Sequence, residues 1–116
     1  MQRQILGGKI HRATVTEARI DYPGSITIDS KLMEAAGILN HEKVLIANLT
    51  NAARLESYAI PGPAGSGVIC LNGGAAQYGK VGDLVIIMTF VVLEDAEAKK
   101  YQPRVVHVDG KNKIIP

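Results

Sequence analysis

Tryptophan is absent from this chain, phenylalanine and cysteine occur once each, and aromatic residues make up only 4% of its 116 positions. The single cysteine, Cys70, has no partner within the chain, so no disulfide framework holds the fold. With no apolar signal region behind Met1, this predicts a cytoplasmic protein. Long apolar runs are also missing. The longest, 84–93, has about half of the roughly 20 residues a membrane-spanning helix needs, and reads as a buried strand. Neither sign of charge dominates. The 13 Lys and Arg are set against 11 Asp and Glu and are scattered, which excludes a nucleic-acid footprint and a membrane-binding face. His11, His41 and His107 lie far apart, with no Cys or carboxylate at zinc-site spacing, so no metal is expected. The glycine-rich segment 62–67 is not followed by Lys-Ser or Lys-Thr, which rules out a P-loop. Ser66 lacks the Gly-x-Ser-x-Gly setting of a hydrolase nucleophile.

What is present describes one globular domain over 1–116, with 47% hydrophobic and 21% charged residues and no low-complexity run. Beta-branched and aliphatic residues gather in short runs broken by Gly, Pro and Asn. They predict strands over 3–6, 9–15, 25–28, 43–49, 54–60, 68–72, 83–93 and 104–108. A helix starts at Asp29 or Ser30, either of which can cap its first N–H groups, and closes at Gly37. A second helix is expected over 95–101 and is stopped by Pro103; Asp109-Gly110 marks a turn, and 61–67 a surface loop. Many short strands with few helices imply a barrel or a sandwich. The barrel is preferred because closure removes exposed edges.

One turn carries chemistry. In Tyr22-Pro23-Gly24-Ser25, glycine leaves its carbonyl open to the neighbouring hydroxyl, and Pro23 limits the freedom of the turn. The Ser25 hydroxyl can attack the Gly24 carbonyl and turn the amide into an ester. Elimination from that ester releases a fragment ending at Gly24 and leaves dehydroalanine at 25, which hydrolyses to a pyruvoyl group with loss of ammonia. The chain would then exist as 1–24 and 25–116.

Around this turn stand Lys9-Ile10-His11-Arg12, then Arg54, Ser57-Tyr58-Ala59-Ile60 and Asn72-Gly73-Gly74-Ala75-Ala76. In order and spacing these residues resemble the pyruvoyl-dependent aspartate 1-decarboxylases, along nearly the whole chain. The resemblance implies a mainly β fold, a small six-stranded double-psi β-barrel with one or two short helices, assembled as a homotetramer. It further implies decarboxylation of L-aspartate to beta-alanine through a Schiff base on the pyruvoyl cofactor derived from Ser25, for pantothenate and coenzyme A synthesis. No pyridoxal phosphate is required.

The same resemblance assigns roles. Ser25 is the source of the catalytic group, and Tyr58 is the proton donor to the alpha-carbon after carbon dioxide leaves. Gly24, Ser25 and Ser57 serve self-cleavage, the Ser57 hydroxyl bonding the Gly24 carbonyl. Arg54 and Lys9 grip the beta-carboxylate, because a strong ion pair on the departing alpha-carboxylate would stabilise the ground state more than the transition state. Ser57, Asn72, Gly73, Gly74 and Ala75 complete the substrate site, and His11 and Tyr22 are placed near it. Two positions depart from the family pattern: Ser57 stands where threonine is common, and Gly74 where alanine is. Because a small filled barrel has little interior room, the site is expected between subunits. Two alternatives stay open. One is a non-enzymatic β-barrel binding module with an uncut chain; the other is a pyruvoyl decarboxylase of another amino acid such as glutamate.

Overall fold

Alternating apolar residues build the core. Ile26 and Ile28, Ile69 and Leu71, Val44 and Ile46, and Val85 and Ile87 all point the same way from their strands and are fully buried, while the residues between them face outward. A computed structural model describes residues 1–116. In chain order it contains β1 (Gln2–Thr14), β2 (Glu17–Arg19), β3 (Ser25–Asp29), α1 (Ser30–Ala36), β4 (Lys43–Asn48), β5 (Arg54–Gly62) and β6 (Ile69–Asn72). A 3₁₀ turn (Gly73–Gln77), β7 (Leu84–Glu94), α2 (Asp95–Ala98), β8 (Arg104–Val108) and β9 (Ile114–Ile115) follow. The strands form one ladder in the order β2-β6-β3-β5-β4-β7-β1-β8-β9. The pairs β2/β6, β3/β5 and β1/β8 are parallel, so the chain crosses over repeatedly and wraps a single core. No helix is long and apolar enough to cross a membrane.

The mainly β architecture with two short helices is the one expected, and its departures are local. The predicted strands 3–6 and 9–15 are one continuous strand, β1, bent by register shifts between Leu6 and Gly8 and between Ile10 and Ala13. Gly8 passes so close to the Ala36 carbonyl that a Cβ there would collide with it. β5 runs through Pro61 to Gly62 because its pairing with β4 ends at Tyr58, so the missing Pro61 N–H interrupts no bond on that side. The short strands β2 and β9 carry no pattern that sequence periodicity could detect. α2 ends at Ala98, short of the expected 101, and the chain turns so that the Tyr101 hydroxyl donates to the Gly7 carbonyl at 3.1 Å.

Asp29 is the cap of α1, and more. Its buried carboxylate accepts the Lys31 N–H at 2.9 Å, and Gly37, at φ 71°, closes the helix as expected. It also accepts the N–H groups of Gly65 at 3.0 Å and Gly67 at 2.8 Å, so the expected surface loop is tied to the helix start. Burial alone opposes ionisation of Asp29, but the N–H donors of Gly67, Lys31 and Gly65 outweigh it and hold the carboxyl below its ordinary pKa. A depressed folded pKa means this stabilisation is full above the unfolded carboxylate pKa and is lost as pH falls through the folded one. Asp29→Ala should therefore cost roughly 3 kcal/mol at neutral pH, by urea unfolding, because one buried and two partly buried N–H groups lose their acceptor. The difference from wild type should shrink as the pH is lowered below about 4.

Candidate active site

The pairing of β3 with β6 sets Ser25 opposite Asn72 and Thr27 opposite Cys70. With the alternate residues Ile26 and Leu71 in the core, these four form a polar group on the other face of the same two strands. The Asn72 carboxamide is buried and fully engaged. Its Nδ2 donates to Ser25 Oγ and to Thr27 Oγ1, both at 2.9 Å, and its Oδ1 lies 3.1 Å from Cys70 Sγ. Burial pushes the Cys70 thiol up, and the Glu17 carboxylate adds to this against the pull of Arg19, so the sulfur keeps its proton and donates to Oδ1. Ser25 itself is buried.

Gly73 turns the chain directly beneath the Gly24–Ser25 bond. At φ 61° it adopts a left-handed conformation, and a Cβ there would stand 2.6 Å from the Tyr22 carbonyl oxygen and 2.7 Å from the Gly24 nitrogen. The Gly24 position is open, with nothing within 4 Å of where a Cβ would sit. The turn is thus supported from below, and Gly24 itself is exposed at the surface.

Gly24 borders a cleft of about 600 Å³ that also exposes Arg54, Ser57, Tyr58, Gly74 and Ala75. Arg54, Ser57 and Tyr58 come from β5, and Gly74 and Ala75 from the 3₁₀ turn that follows Asn72. Six of the residues singled out in the sequence therefore meet at one surface, with Ser25, Asn72 and Gly73 packed behind it. Leu55, Glu56 and Tyr78 also line the cleft and were not foreseen. Glu56 is engaged by Lys43 at 2.6 Å. Nothing in sequence marked Tyr78, and the polar roles of Thr27 and Cys70 emerge only from the pairing of β3 with β6. Reading Cys70 as a small buried residue captured its burial and missed its hydrogen bond.

Three expected residues lie elsewhere. Tyr22 is exposed, its hydroxyl accepting from Arg19 at 2.7 Å with the guanidinium 4.9 Å from its ring centre. Lys9 and His11 belong to β1, on the outward side of the sheet and away from this cleft. His11 stacks edge-on against His107, with centroids 5.4 Å apart, and its buried Nδ1 has no partner within the chain. Burial, then the charges of Lys9, His107 and Arg12, holds its imidazole below the ordinary histidine pKa.

The residues present fit a pyruvoyl group formed at position 25. The preceding glycine is exposed with free space around it, the side-chain oxygen at 25 is held by an amide donor, and the adjoining cleft carries a guanidinium and a phenol.

Residues 1–115 match the family model described as aspartate decarboxylase. A curated protein of Corynebacterium efficiens named Aspartate 1-decarboxylase is 57% identical over 99% of this chain and 85% of its own length. Namesakes from Pelotomaculum thermopropionicum and Listeria monocytogenes are 59% and 57% identical, over 96% and 98% of this chain and 84% and 90% of their own lengths. Full-length similarity of this order, on a chain whose cleft gathers the Gly24 turn with Arg54 and Tyr58, shows that the chain belongs to the aspartate decarboxylase family.

Proposed function

We propose that this chain removes the alpha-carboxylate of L-aspartate to give beta-alanine and carbon dioxide, the reaction that supplies pantothenate synthesis, after cutting itself at Gly24–Ser25 into 1–24 and 25–116. The fold is the small double-psi β-barrel of its family. The observation that carries the reading is the exposed Gly24 joined to a buried Ser25, at the edge of a cleft holding Arg54 and Tyr58. The pyruvoyl group at 25 supplies a carbonyl that condenses with the substrate amine and takes up the electrons released with carbon dioxide.

The chain's own residues bind and orient. Arg54 gives the beta-carboxylate two parallel hydrogen bonds, and the N–H groups of the Gly73-Gly74-Ala75 turn lie unshielded by large side chains. Leu55 and Ala75 give the cleft an apolar wall. An alpha-carboxylate set against that wall is less stabilised as an anion than one in water, which favours its loss as neutral carbon dioxide. Tyr58, over a third exposed on the cleft side of β5, returns a proton to the alpha-carbon, and the Ser57 hydroxyl holds the Gly24 carbonyl during self-cleavage.

Lys9 reaches a substrate only from a neighbouring subunit. Register sets Leu45, Met88, Lys9 and Val105 in one row on the outward side of the sheet. Beside that row Phe90 and Val92 are 40% and 60% exposed. An apolar sheet face of this kind suits a second copy of the chain, and docking buries Lys9 and His11 against that copy's cleft. The homotetramer is the assembly we assign. With Cys70 a buried free thiol, we place the protein in the reducing cytoplasm.

A denaturing intact-mass spectrum after warm incubation should show 1–24 and 25–116, the larger lighter by one ammonia than a serine-ended chain. Ser25→Ala should stay whole and inactive; normal decarboxylation by that variant would falsify the reading. Tyr58→Phe should cut itself but release carbon dioxide about a hundredfold more slowly, as loss of a general acid predicts. Near-normal turnover removes Tyr58 from that role. Fully cut protein diluted until sedimentation shows monomers should lose turnover, and an active monomer rules out a site shared between subunits.

A further inference from the structure

We infer that Thr27 and Cys70 are positioning residues for self-cleavage, holding the Asn72 carboxamide so that one N–H points at Ser25 Oγ. The inference rests on the maturation reading above and concerns two residues to which that reading gives no role. Its basis is a chain of side-chain bonds on one face of β3 and β6, at whose end the Ser25 hydroxyl donates to the Pro23 carbonyl at 3.5 Å. Cys70 Sγ donates to Asn72 Oδ1 at 3.1 Å, and Asn72 Nδ2 donates to Thr27 Oγ1 and to Ser25 Oγ at 2.9 Å each. A carboxamide has one acceptor oxygen and two N–H donors. The thiol takes the oxygen and Thr27 takes one N–H, so the second N–H has a single direction left. All four side chains stand on two directly opposed strand pairs, Ser25 with Asn72 and Thr27 with Cys70, which fixes their spacing through the backbone.

The direction of that bond says which step it serves. Asn72 donates to Oγ and takes no proton from it, so it does not act as the base for attack. In the first step Oγ bonds to the Gly24 carbonyl carbon, the Gly24–Ser25 C–N bond breaks, and the hydroxyl proton ends on the freed Ser25 amine. In the second a base removes the Ser25 Cα proton, the Cβ–Oγ bond breaks, and Oγ departs within the Gly24 carboxylate. Negative charge grows on Oγ in the second step, where an aimed N–H stabilises it more than it stabilises the neutral ester. Water then converts the resulting enamine to the carbonyl and ammonia. Loss of the aim should slow elimination and let the ester accumulate.

Paired substitutions separate hydrogen bonding from packing. Thr27→Val keeps the side-chain volume and loses the hydroxyl; Thr27→Ser does the reverse. Cys70→Ala and Cys70→Ser make the same comparison at the other end, should either Thr27 variant fold poorly. Each protein is purified uncut, incubated warm, sampled with and without neutral hydroxylamine, and read by intact mass. Hydroxylamine cuts the ester and leaves 25–116 with its serine, distinguishable from the fragment lighter by ammonia.

Thr27→Val and Cys70→Ala should form the lighter fragment about tenfold more slowly than wild type, the effect of one lost hydrogen bond. Both should build up hydroxylamine-sensitive ester, while both serine variants mature close to the wild-type rate. The proposal is overturned if the hydroxyl-free variants match wild type, or if Thr27→Ser is slow while Thr27→Val is not, which marks a packing role. A wild-type chain that stays whole even with added cell extract removes the maturation reading and this proposal together. A wild type that matures beside indifferent variants removes this proposal alone.

Discussion

The cross-strand pair Ser25 and Asn72 is the contact on which the site depends. It can form only where β3 and β6 run antiparallel in this register, and a slip of one residue would send Ser25 into the core and Ile26 out of it. The fully buried Ile26, Ile28, Ile69 and Leu71 enforce the register from the apolar side. The hydrophobic core thereby aims a polar group it does not touch. Gly73 adds a second constraint from the end of β6, since its left-handed turn brings backbone beneath Tyr22 and Gly24 that any side chain would displace.

Asp29, at the other end of β3, holds the strand just as firmly. One carboxylate bonds the start of α1 and the loop residues Gly65 and Gly67, which lead into β6. The two strands that carry Ser25 and Asn72 are therefore joined at both ends, by buried polar bonds at one and by the Gly73 turn at the other. The susceptible turn lies just outside this clamp, where Gly24 is uncovered.

Legibility in the sequence followed the reach of each signal. Local chemistry was readable: Asp29 and Gly37 bounded α1 as their capping roles require, and alternating apolar residues located the main strands. Signals set by distant contacts were not. The fusion of two expected strands into β1 depends on Gly8 meeting Ala36, and α2 is short because the chain beyond it turns back toward β1. At the site, Gly24, Arg54, Ser57, Tyr58, Gly74 and Ala75, far apart in sequence, line one cleft. Tyr78 and Glu56 join them through folding alone. Cys70 looked apolar because a thiol in an apolar run has no sequence signature of its donor role; only its position opposite Thr27 gives it one.

The placement of Lys9 and His11 extends the same logic beyond one subunit. A lysine in an outward row with Leu45, Met88 and Val105 is poorly used by an isolated chain, which must leave apolar surface exposed to keep the ammonium hydrated. Beside it, His11 buries an Nδ1 without a partner, while its pKa is held down, so the imidazole stays neutral and its ring nitrogen remains unused. Both features are costly in a monomer, and the proposed association would relieve both. In the assembly proposed above, docking on a second copy would cover the apolar row, offer His11 a partner and bring the ammonium toward the Arg54 cleft. Two cations there would favour a substrate with a second carboxylate, whose negative charge offsets the cost of bringing them together. Selectivity for a dicarboxylic acid is in this view a property of the assembly rather than of the barrel.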